Sequence, residues 1–459
     1  MSKAHDYARA QHEQTKADFL DLLRIPSIST DMAYKADVRR AAEWIAAKMR
    51  AIGLTAELIE MDEGNHPVVL GTWDGAGASA RTVLIYCHYD VQPAVVADGW
   101  DSDPFEPVEK DGQIFARGAT DSKVHVIAQM AAVEALIASG ECQVNIKLVF
   151  EGEEESGGRT INAIVARHID KLQADVAVIS DGVIRGPKQP ALIYGLRGII
   201  TMELHVYGPQ TDLHSGHWGG TVHNPAQALA EIIAQLHDAK GTVTVPHFYD
   251  DVASITDEEH AVLAESEPSI NEEWDEVANA AQRWGEADYN LHERIGARPT
   301  LEINGIAGGY YGDGFKTVLP AHAMAKISCR LVPDQDPRQI IQHVKAHIQA
   351  LAPPSVRIEF RNEDAYAPAA VLDRKGATMQ AAYRAYEQGW GVKPVWERAG
   401  GSVPITYEML KITPEVVLMG FSYKGGRAHG PNENIYLDML YNGVDTMIHF
   451  LREMGETQA

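Results

Sequence analysis

Three apolar segments of the chain each lead directly into acidic or histidine side chains. They are TVLIYCHYDV (82–91), VNIKLVF (144–150) and ADVAVIS (174–180). Their short length and β-branched content predict buried strands. Between the first two, VHVIAQMAAVEALIASG (124–140) predicts a helix that ends at Gly140. Strands that alternate with helices predict a layered α/β domain with a mostly parallel central sheet, in which ligands bind beyond the carboxyl ends of the strands.

The pattern changes near Gly195. The segment ITMELHVYG (200–208) alternates like a half-exposed strand, and Asn224-Pro225 predicts the start of a helix that runs to about residue 240. This middle region therefore predicts a separate α+β unit. The remaining predictions are amphipathic helices at 6–24 and 36–53, an acidic helical segment at 250–295, and strands at 322–332 and 415–421.

Composition limits the classes of function. The chain has 459 residues and a formal net charge of −24, which argues against binding to nucleic acid or to anionic membranes. Its three cysteines are widely spaced and predict no disulfide framework, which favours a reducing compartment. The N-terminal segment is polar and no run of about 18 apolar residues occurs, so we expect a cytoplasmic protein.

Candidate metal ligands follow the predicted strands. Taken alone, a His-x-Asp pair or a run of glutamates is more often structural than functional. Carboxylates at the ends of several buried strands are costly, however, unless they are paired or bound to metal. Two histidines with several carboxylates suit zinc, and manganese or cobalt less specifically. The candidates are His88, Asp90, Asp121, Glu151, Glu153, Glu154, Glu155, Asp181 and, in the loop GGRAHGPNENI (425–435), His429.

Other catalytic motifs are absent from the sequence. It contains no His-Glu-x-x-His and no Gly-x-Ser-x-Gly motif, and Gly75-Ala-Gly77 precedes a strand instead of a helix, so it is no dinucleotide-binding loop. Cys87 alternates away from His88 along its strand and is predicted to lie in the core.

Several motifs resemble one family along nearly the whole chain. The chain is similar to the di-zinc metallopeptidases that include carnosine dipeptidases, carboxypeptidase G and the acetylornithine and succinyl-diaminopimelate deacylases. Within that family it resembles the carnosinase-like dipeptidase branch. The motifs that carry this resemblance are TDLHSGHWGG (211–220), GFKTVLP (314–320), ISCRLVPDQDP (327–337), AGGSVP (399–404) and HGPNENI (429–435).

The resemblance implies a role for each site residue. Asp121 would bridge two metal ions, with His88 and Asp181 completing one site and Glu155 and His429 the other. Glu154 would be the general base for a hydroxide shared by the two ions. The remaining implied roles are acceptance by Asp90 of a hydrogen bond that fixes the tautomer of His88, and substrate contacts by His214, Thr317, Arg330 and Ser402.

One segment departs from the family pattern. The family usually has Asp-Asp-Lys-Gly at the bridging position, where this chain has Asp121-Ser122-Lys123-Val124. The ligand is kept but its surroundings differ, so metal preference and affinity do not follow from the ligand set. The resemblance also implies a cis peptide bond after Asp121.

The resemblance further implies domain boundaries and an assembly. Residues 1–196 and 371–459 would form the catalytic domain, and residues 197–370 an inserted lid and dimerisation domain that pairs two chains into a homodimer. In such dimers His214 of the Leu-His-Ser-Gly motif would reach the metals of the partner.

These features predict a hydrolase that cleaves dipeptides or short peptides with a free C-terminal carboxylate. Arg330 would bind that carboxylate, because a guanidinium suits bidentate contact. Two alternatives are an N-acyl amino-acid deacylase on the same scaffold and a non-catalytic metal-binding homologue. The presence of Glu154 argues against the second, since an inactive relative could lose its base.

Overall fold

The computed structural model describes residues 2–60 and 65–456. These residues form two compact units. The first contains the described residues up to Tyr194, then Leu372–Trp396 and the described residues from Ile405 onward. The second contains Gly195–Val371 and Glu397–Pro404, so it is inserted into the first along the chain.

Helices occur in both units. In chain order they are α1 Lys3–Ala10, α2 His12–Leu23, α3 Lys35–Ala51, α4 Lys123–Ser139, α5 Arg159–Leu172, α6 Ser215–Trp218, α7 Pro225–Ile233, α8 Asp257–Glu273, α9 Leu291–Gly296, α10 Pro337–Leu351, α11 Ala377–Trp390, α12 Ile405–Leu410 and α13 Leu437–Glu456.

The strands are numbered in the same way. They are β1 Thr55–Ile59, β2 Val68–Trp73, β3 Thr82–His88, β4 Val108–Lys110, β5 Gln113–Phe115, β6 Asn145–Glu151, β7 Val176–Ile179, β8 Val183–Ile184, β9 Ala191–Leu196, β10 Gly198–Tyr207, β11 Leu213–His214, β12 Thr300–Gly308, β13 Val318–Leu319, β14 His322–Leu331, β15 Arg357–Ala367, β16 Ala370–Val371, β17 Val395–Ala399, β18 Val416–Leu418, β19 Ser422–Tyr423 and β20 Asn434–Tyr436.

The first unit is built on a mixed sheet whose centre is parallel. Its strand order is β1-β2-β6-β3-β7-β18-β9. Strand β3 is parallel to both β6 and β7, and β18 is parallel to β7, whereas β1, β2 and β9 pair antiparallel with their neighbours. The predicted α/β class is therefore confirmed, and the carboxyl ends of β6, β3, β7 and β18 lie along one edge of the sheet.

Helix α4 lies in the core of the first unit. It packs against α1, α2 and α13, and nearly all of its side chains from Lys123 to Leu136 are buried. A helix that is apolar all round is expected in such a position. The helix ends at Gly140, whose φ of 71° is the left-handed conformation that glycine adopts without strain.

The second unit has an antiparallel sheet of order β12-β14-β10-β15. Helices α7 and α10 pack on one face of it, and the core between them includes Leu204, Leu229 and Val344. Asn224 caps α7 by accepting a hydrogen bond from the backbone N–H of Ala226, and Pro225 occupies the first helical position, as the sequence predicts.

Three predicted helical segments differ from those observed. The helix predicted at 6–24 breaks at Gln11, because α1 and α2 pack separately on α13: His5 contacts His449, and His12 stacks on Tyr441. The acidic segment 250–295, predicted to be helical, is helical only in part, mainly in the two separate helices α8 and α9.

The third difference is the length of α7, which ends at Ile233 instead of near residue 240. The chain turns at Gly241, with Asp238 accepting hydrogen bonds from the N–H groups of Lys240 and Thr242. This turn brings Leu236 and Val243 into the same core, which a continuous helix could not do. Across residues 2–60 and 65–456, we find no helix that is both long and apolar enough to traverse a bilayer.

Candidate metal centre

Four elements of the first unit bring the predicted ligands to one edge of its sheet. His88 is the last residue of β3, and Asp181 follows β7 by two residues. Glu155 lies in a short helical turn, Glu154–Ser156, that follows β6, and Asp121 lies in the turn that precedes α4. Parallel strands carry His88, Glu155 and Asp181 to the same edge, which explains why these residues, far apart in sequence, meet.

The first group of ligands consists of His88, Asp121 and Asp181. Their candidate ligand atoms all lie within 4.8 Å of one another. The Nε2 atom of His88 is 3.1 Å from Oδ1 of Asp121 and 3.5 Å from Oδ1 of Asp181. The His88 side chain is completely buried, so its imidazole is fixed by packing as well as by these contacts.

The second group consists of Asp121, Glu155 and His429. The Nε2 atom of His429 is 3.2 Å from Oδ2 of Asp121 and 3.1 Å from Oε2 of Glu155. The two oxygens of Asp121 therefore face two different imidazoles. A carboxylate in this position can serve two ions at once, which is the geometry of a bridged pair.

Neighbouring polar groups orient the ligands. Nδ1 of His88 is 3.2 Å from the backbone oxygen of Asp90 and 3.4 Å from its Oδ1, and the other carboxylate oxygen of Asp90 accepts a hydrogen bond of 3.1 Å from the N–H of Glu155. Gln92 donates a hydrogen bond of 2.9 Å to Oε2 of Glu155. The hydrogen-bonding partners of Nδ1 favour its protonated tautomer, which leaves Nε2 facing the carboxylates.

The carboxylates strongly perturb both histidines. Hydrogen bonds with Asp121 and Glu155 raise the pKa of His429 to about 10. Burial opposes the charge on His88, yet Asp181, Asp121 and Asp90 together hold its pKa well above the ordinary value. Each imidazole thus lies where positive charge is favoured, and a bound cation would supply that charge as it displaces the protons.

The residues present fit a pair of divalent cations. Each group offers one imidazole nitrogen and two carboxylate oxygens, a donor set that suits zinc, manganese or cobalt. In addition, Oε1 of Glu155 is buried and, among the described residues, has no hydrogen-bond partner. A buried carboxylate oxygen in that state is costly unless a cation binds it.

The glutamates at the end of β6 and directly after it have separate environments. Glu151 accepts a hydrogen bond from the hydroxyl of Tyr86, and Glu153 accepts hydrogen bonds from the backbone N–H groups of His66 and Thr160. These two are structural. Burial raises the pKa of Glu154 to about 8, a value suited to a group that exchanges protons near neutral pH.

In the segment that departs from the family pattern, the three residues after Asp121, namely Ser122, Lys123 and Val124, are fully buried. The peptide bond between Asp121 and Ser122 is cis, as the resemblance implies. The hydroxyl of Ser122 lies 2.6 Å from Nδ1 of His125, whose Nε2 accepts a hydrogen bond of 2.8 Å from the N–H of Phe421. Lys123 donates to two backbone carbonyl oxygens, and burial lowers its pKa to about 7.

Glu433 is a site residue whose role does not follow from the sequence. Its side chain is completely buried and forms an ion pair of 2.6 Å with Arg117, whose guanidinium also lies over the ring of Trp100. Burial raises the pKa of Glu433 to about 7. The residue stands in the quoted motif HGPNENI, but its partners are more than 300 positions away in sequence, so no local pattern reveals its role.

The predicted substrate residues all lie in the second unit. Nη1 of Arg330 donates a hydrogen bond of 3.0 Å to Oγ of Ser402, which in turn donates to the backbone oxygen of Arg197. Within the described part of the chain, neither Arg330 nor Arg197 forms an ion pair with a carboxylate. Burial lowers the pKa of both guanidiniums, and an anionic ligand would relieve their unpaired charge.

His214 and Thr317 lie on two short strands and the adjoining loop. His214 pairs with Val318, and the backbone oxygen of Thr317 accepts a hydrogen bond of 3.0 Å from the N–H of Ser215. The imidazole of His214 is exposed, and its Nδ1 accepts a hydrogen bond of 2.9 Å from the N–H of Gly216. This bond places the imidazole proton on Nε2.

Comparison with known proteins identifies the family. Residues 84–453 match the model of the peptidase family M20/M25/M40. The chain is 32% identical to the Cys-Gly metallodipeptidase of Schizosaccharomyces pombe, over 94% of this chain and 93% of that protein. It is 33% identical to the Beta-Ala-His dipeptidase of Mus musculus, over 90% of this chain and 86% of that protein.

Solved structures agree with this result. A dipeptidase from Saccharomyces cerevisiae has a TM-score of 0.82 and 30% identity, with 100% of this chain and 99% of that chain covered. Human carnosine dipeptidase 1 has a TM-score of 0.81 and 27% identity, with 99% and 98% covered. The resemblance to the carnosinase-like dipeptidase branch is therefore confirmed, as is the prediction of a hydrolase.

Proposed function

Since the chain belongs to the peptidase family M20/M25/M40, we propose that it hydrolyses dipeptides or short peptides that carry a free C-terminal carboxylate. The observation that carries this proposal is the carboxylate of Asp121, whose two oxygens each face a different imidazole of the two ligand groups. The names of its relatives, a Cys-Gly metallodipeptidase and a Beta-Ala-His dipeptidase, support dipeptides as substrates.

The proposed metals are two divalent cations, zinc first and manganese or cobalt as alternatives. His88, Asp121 and Asp181 would hold one ion, and Asp121, Glu155 and His429 the other. Two such ions, when bound, lower the pKa of a shared water and polarise the scissile carbonyl.

Glu154 is the proposed general base. Its carboxylate accepts the proton of the attacking water and later donates it to the leaving amine. The half-buried position of Glu154 beside Glu155, together with its raised pKa, supports this role. Asp90 keeps the proton of His88 on Nδ1 and so keeps Nε2 available for coordination.

Arg330 and Ser402 are the proposed carboxylate-binding residues. The guanidinium of Arg330 is half-buried, it contacts Ser402, and no carboxylate among the described residues neutralises it. A planar fork of N–H donors matches the two oxygens of a substrate carboxylate. A dipeptide with a free C-terminus satisfies this requirement, and its C-terminal amide does not.

His214 is proposed to act across a homodimer formed by the domain of residues 197–370, and Thr317 is a proposed substrate contact. With its proton on Nε2, the imidazole of His214 can donate a hydrogen bond to the oxyanion that develops in the partner's site.

The cytoplasmic location also remains a prediction, supported by three cysteines that are all free thiols.

A panel of substrates tests the proposed function. The protein is loaded with zinc or with manganese and offered Xaa-dipeptides, their C-terminal amides, and N-acetyl and N-succinyl amino acids. We expect turnover of the free dipeptides, weak turnover of the amides, and loss of turnover on removal of metal. Preferential cleavage of the N-acyl amino acids would replace the dipeptidase with a deacylase, and no metal-dependent turnover of any compound would refute both.

A further inference from the structure

Glu433 connects two ligand-bearing segments that are far apart in sequence. It lies four residues after His429 and directly before β20. Its side chain is fully buried, and both of its carboxylate oxygens accept hydrogen bonds from the turn that carries Asp121. Burial of a carboxylate is tolerated only where such bonds replace its hydration.

All four hydrogen bonds of the carboxylate go to one turn. Oε2 accepts hydrogen bonds of 2.6 Å from Nη1 of Arg117 and 3.1 Å from the N–H of Gly118. Oε1 accepts hydrogen bonds of 2.9 Å each from the N–H groups of Thr120 and Asp121. Hydrogen bonds to an ionised acceptor are stronger than neutral ones. They fix the backbone from which the Asp121 side chain projects.

The other end of this connection is a loop in an uncommon conformation. Arg427, His429 and Asn432 all have positive φ values, of 58°, 62° and 58°. Residues other than glycine rarely adopt this region, and they do so where surrounding contacts hold them. Two hydrogen bonds are among those contacts. The backbone oxygen of Glu433 accepts one from the N–H of Ala116, and Oδ1 of Asn432 accepts one from the N–H of Asp101.

We infer that Glu433 is a positioning residue that holds Asp121 in place relative to His429, and that it thereby sets the affinity of the second ligand group for its ion. The inference rests on the proposed metal centre. The first group depends on it less, because only Asp121 in that group lies on a segment that Glu433 joins, whereas His88 ends one strand of the sheet and Asp181 closely follows the adjacent strand. In the second group, by contrast, both Asp121 and His429 lie on segments that Glu433 joins.

The test compares metal binding by the parent with that by Glu433→Gln. Glutamine keeps the shape of the side chain but turns one acceptor into a donor, which then faces two donors. Zinc is titrated into metal-free full-length protein in competition with a chromophoric chelator. We expect the parent to bind two ions, and the variant to bind the second about 10–100-fold more weakly and the first more weakly by a clearly smaller factor, because Asp121 belongs to both groups.

A matched control is Glu293→Gln. Glu293 lies in the second unit and is also a buried carboxylate that accepts hydrogen bonds. Glu293 accepts from the N–H of Asn290 and contacts His260. This variant should be less stable to heat but should bind both ions like the parent. If Glu433→Gln does not fold, Arg117→Lys is used instead, because it removes the guanidinium contact while keeping the charge. This variant should also bind the second ion more weakly than the parent.

Three results would contradict the inference. The first is a second-ion affinity in Glu433→Gln, or in Arg117→Lys if that variant is needed, equal to that of the parent. The second is an equal loss of both ions, which would mean that the fold and not the position of Asp121 is affected. The third is a parallel loss in Glu293→Gln. A parent that binds fewer than two ions would instead refute the metal centre itself, so the two failures are distinguishable.

Discussion

Replacing Glu154 with glutamine should separate catalysis from stability. The side chain keeps its size and loses its ability to accept a proton from water. We expect kcat to fall by about 10²–10⁴, which is the usual contribution of a general base and corresponds to about 3–5 kcal/mol of barrier. Both metal ions should remain bound, because Glu155 and not Glu154 belongs to the ligand groups.

The same substitution should make the metal-free protein more stable at high pH, although it lowers kcat. Burial raises the pKa of Glu154 to about 8 from an ordinary 4.5, so the folded chain binds more protons than the unfolded chain between these values. The parent therefore loses stability as the pH rises from 4.5 through 8, by up to about 5 kcal/mol at about 1.4 kcal/mol per pH unit. Glutamine has no such loss, so above pH 8 the metal-free variant should melt at a higher temperature than the parent.

The assay combines kcat, metal content and thermal midpoints at pH 5 and pH 9. Glu153→Gln is the matched control, because Glu153 is adjacent, buried and bound to the N–H groups of His66 and Thr160. It should lose about 1–3 kcal/mol of stability and keep kcat within about tenfold of the parent. Near-normal turnover by metal-replete Glu154→Gln would refute the assignment of the base.

The remaining predictions concern the ions, the substrate, the assembly and pH. Asp121→Ala should lose more than one ion per chain, as measured by metal analysis, and one tightly bound ion in an active variant would contradict bridging. Arg330→Ala should lower kcat/KM for free dipeptides while leaving the slow cleavage of their amides unchanged, and an equal effect on both would exclude a carboxylate clamp. Inactive His214→Ala and Glu154→Gln chains should regain activity when they exchange subunits, whereas inactive verified heterodimers would place His214 in its own chain's site. Lys123, whose pKa burial lowers to about 7 from 10.5, takes up fewer protons folded than unfolded between these values. The metal-free parent should therefore gain up to about 3 kcal/mol relative to Lys123→Met between pH 7 and 9.5, as measured by urea unfolding.

Much of the sheet could be predicted from sequence because its strands are short, apolar and followed by charged residues. The carboxyl ends of β3, β6 and β7 were therefore predicted to lie together, and they do. Helix ends were predicted less well where tertiary packing decides them, as at Gln11 and Ile233. Local periodicity carries no information about such contacts.

In the candidate site, too, local sequence indicates some features, whereas others depend on tertiary contacts. His88, Asp121, Glu155, Asp181 and His429 could be named because they match family motifs, and the structure brings them into two groups. Which neighbouring groups orient them could not be predicted in full. Gln92 contacts Glu155 across 63 positions, and Glu433 contacts the Asp121 turn across more than 300, so these partners exist only once the chain has folded.

The strand order of the first unit has a consequence for how this protein is made. Strand β18, Val416–Leu418, lies between β7 and β9, which end at Ile179 and Leu196, although it is synthesised more than 200 residues after them. A nascent chain on the ribosome therefore carries an incomplete sheet, with the fully buried residues of β7 at an open edge that can pair with other chains. His429 emerges later still. A cation bound by the second ligand group could therefore gain its full set of ligands only after residue 429 has been synthesised, and a chaperone that shields the open edge of β7 during elongation would reduce pairing with other chains.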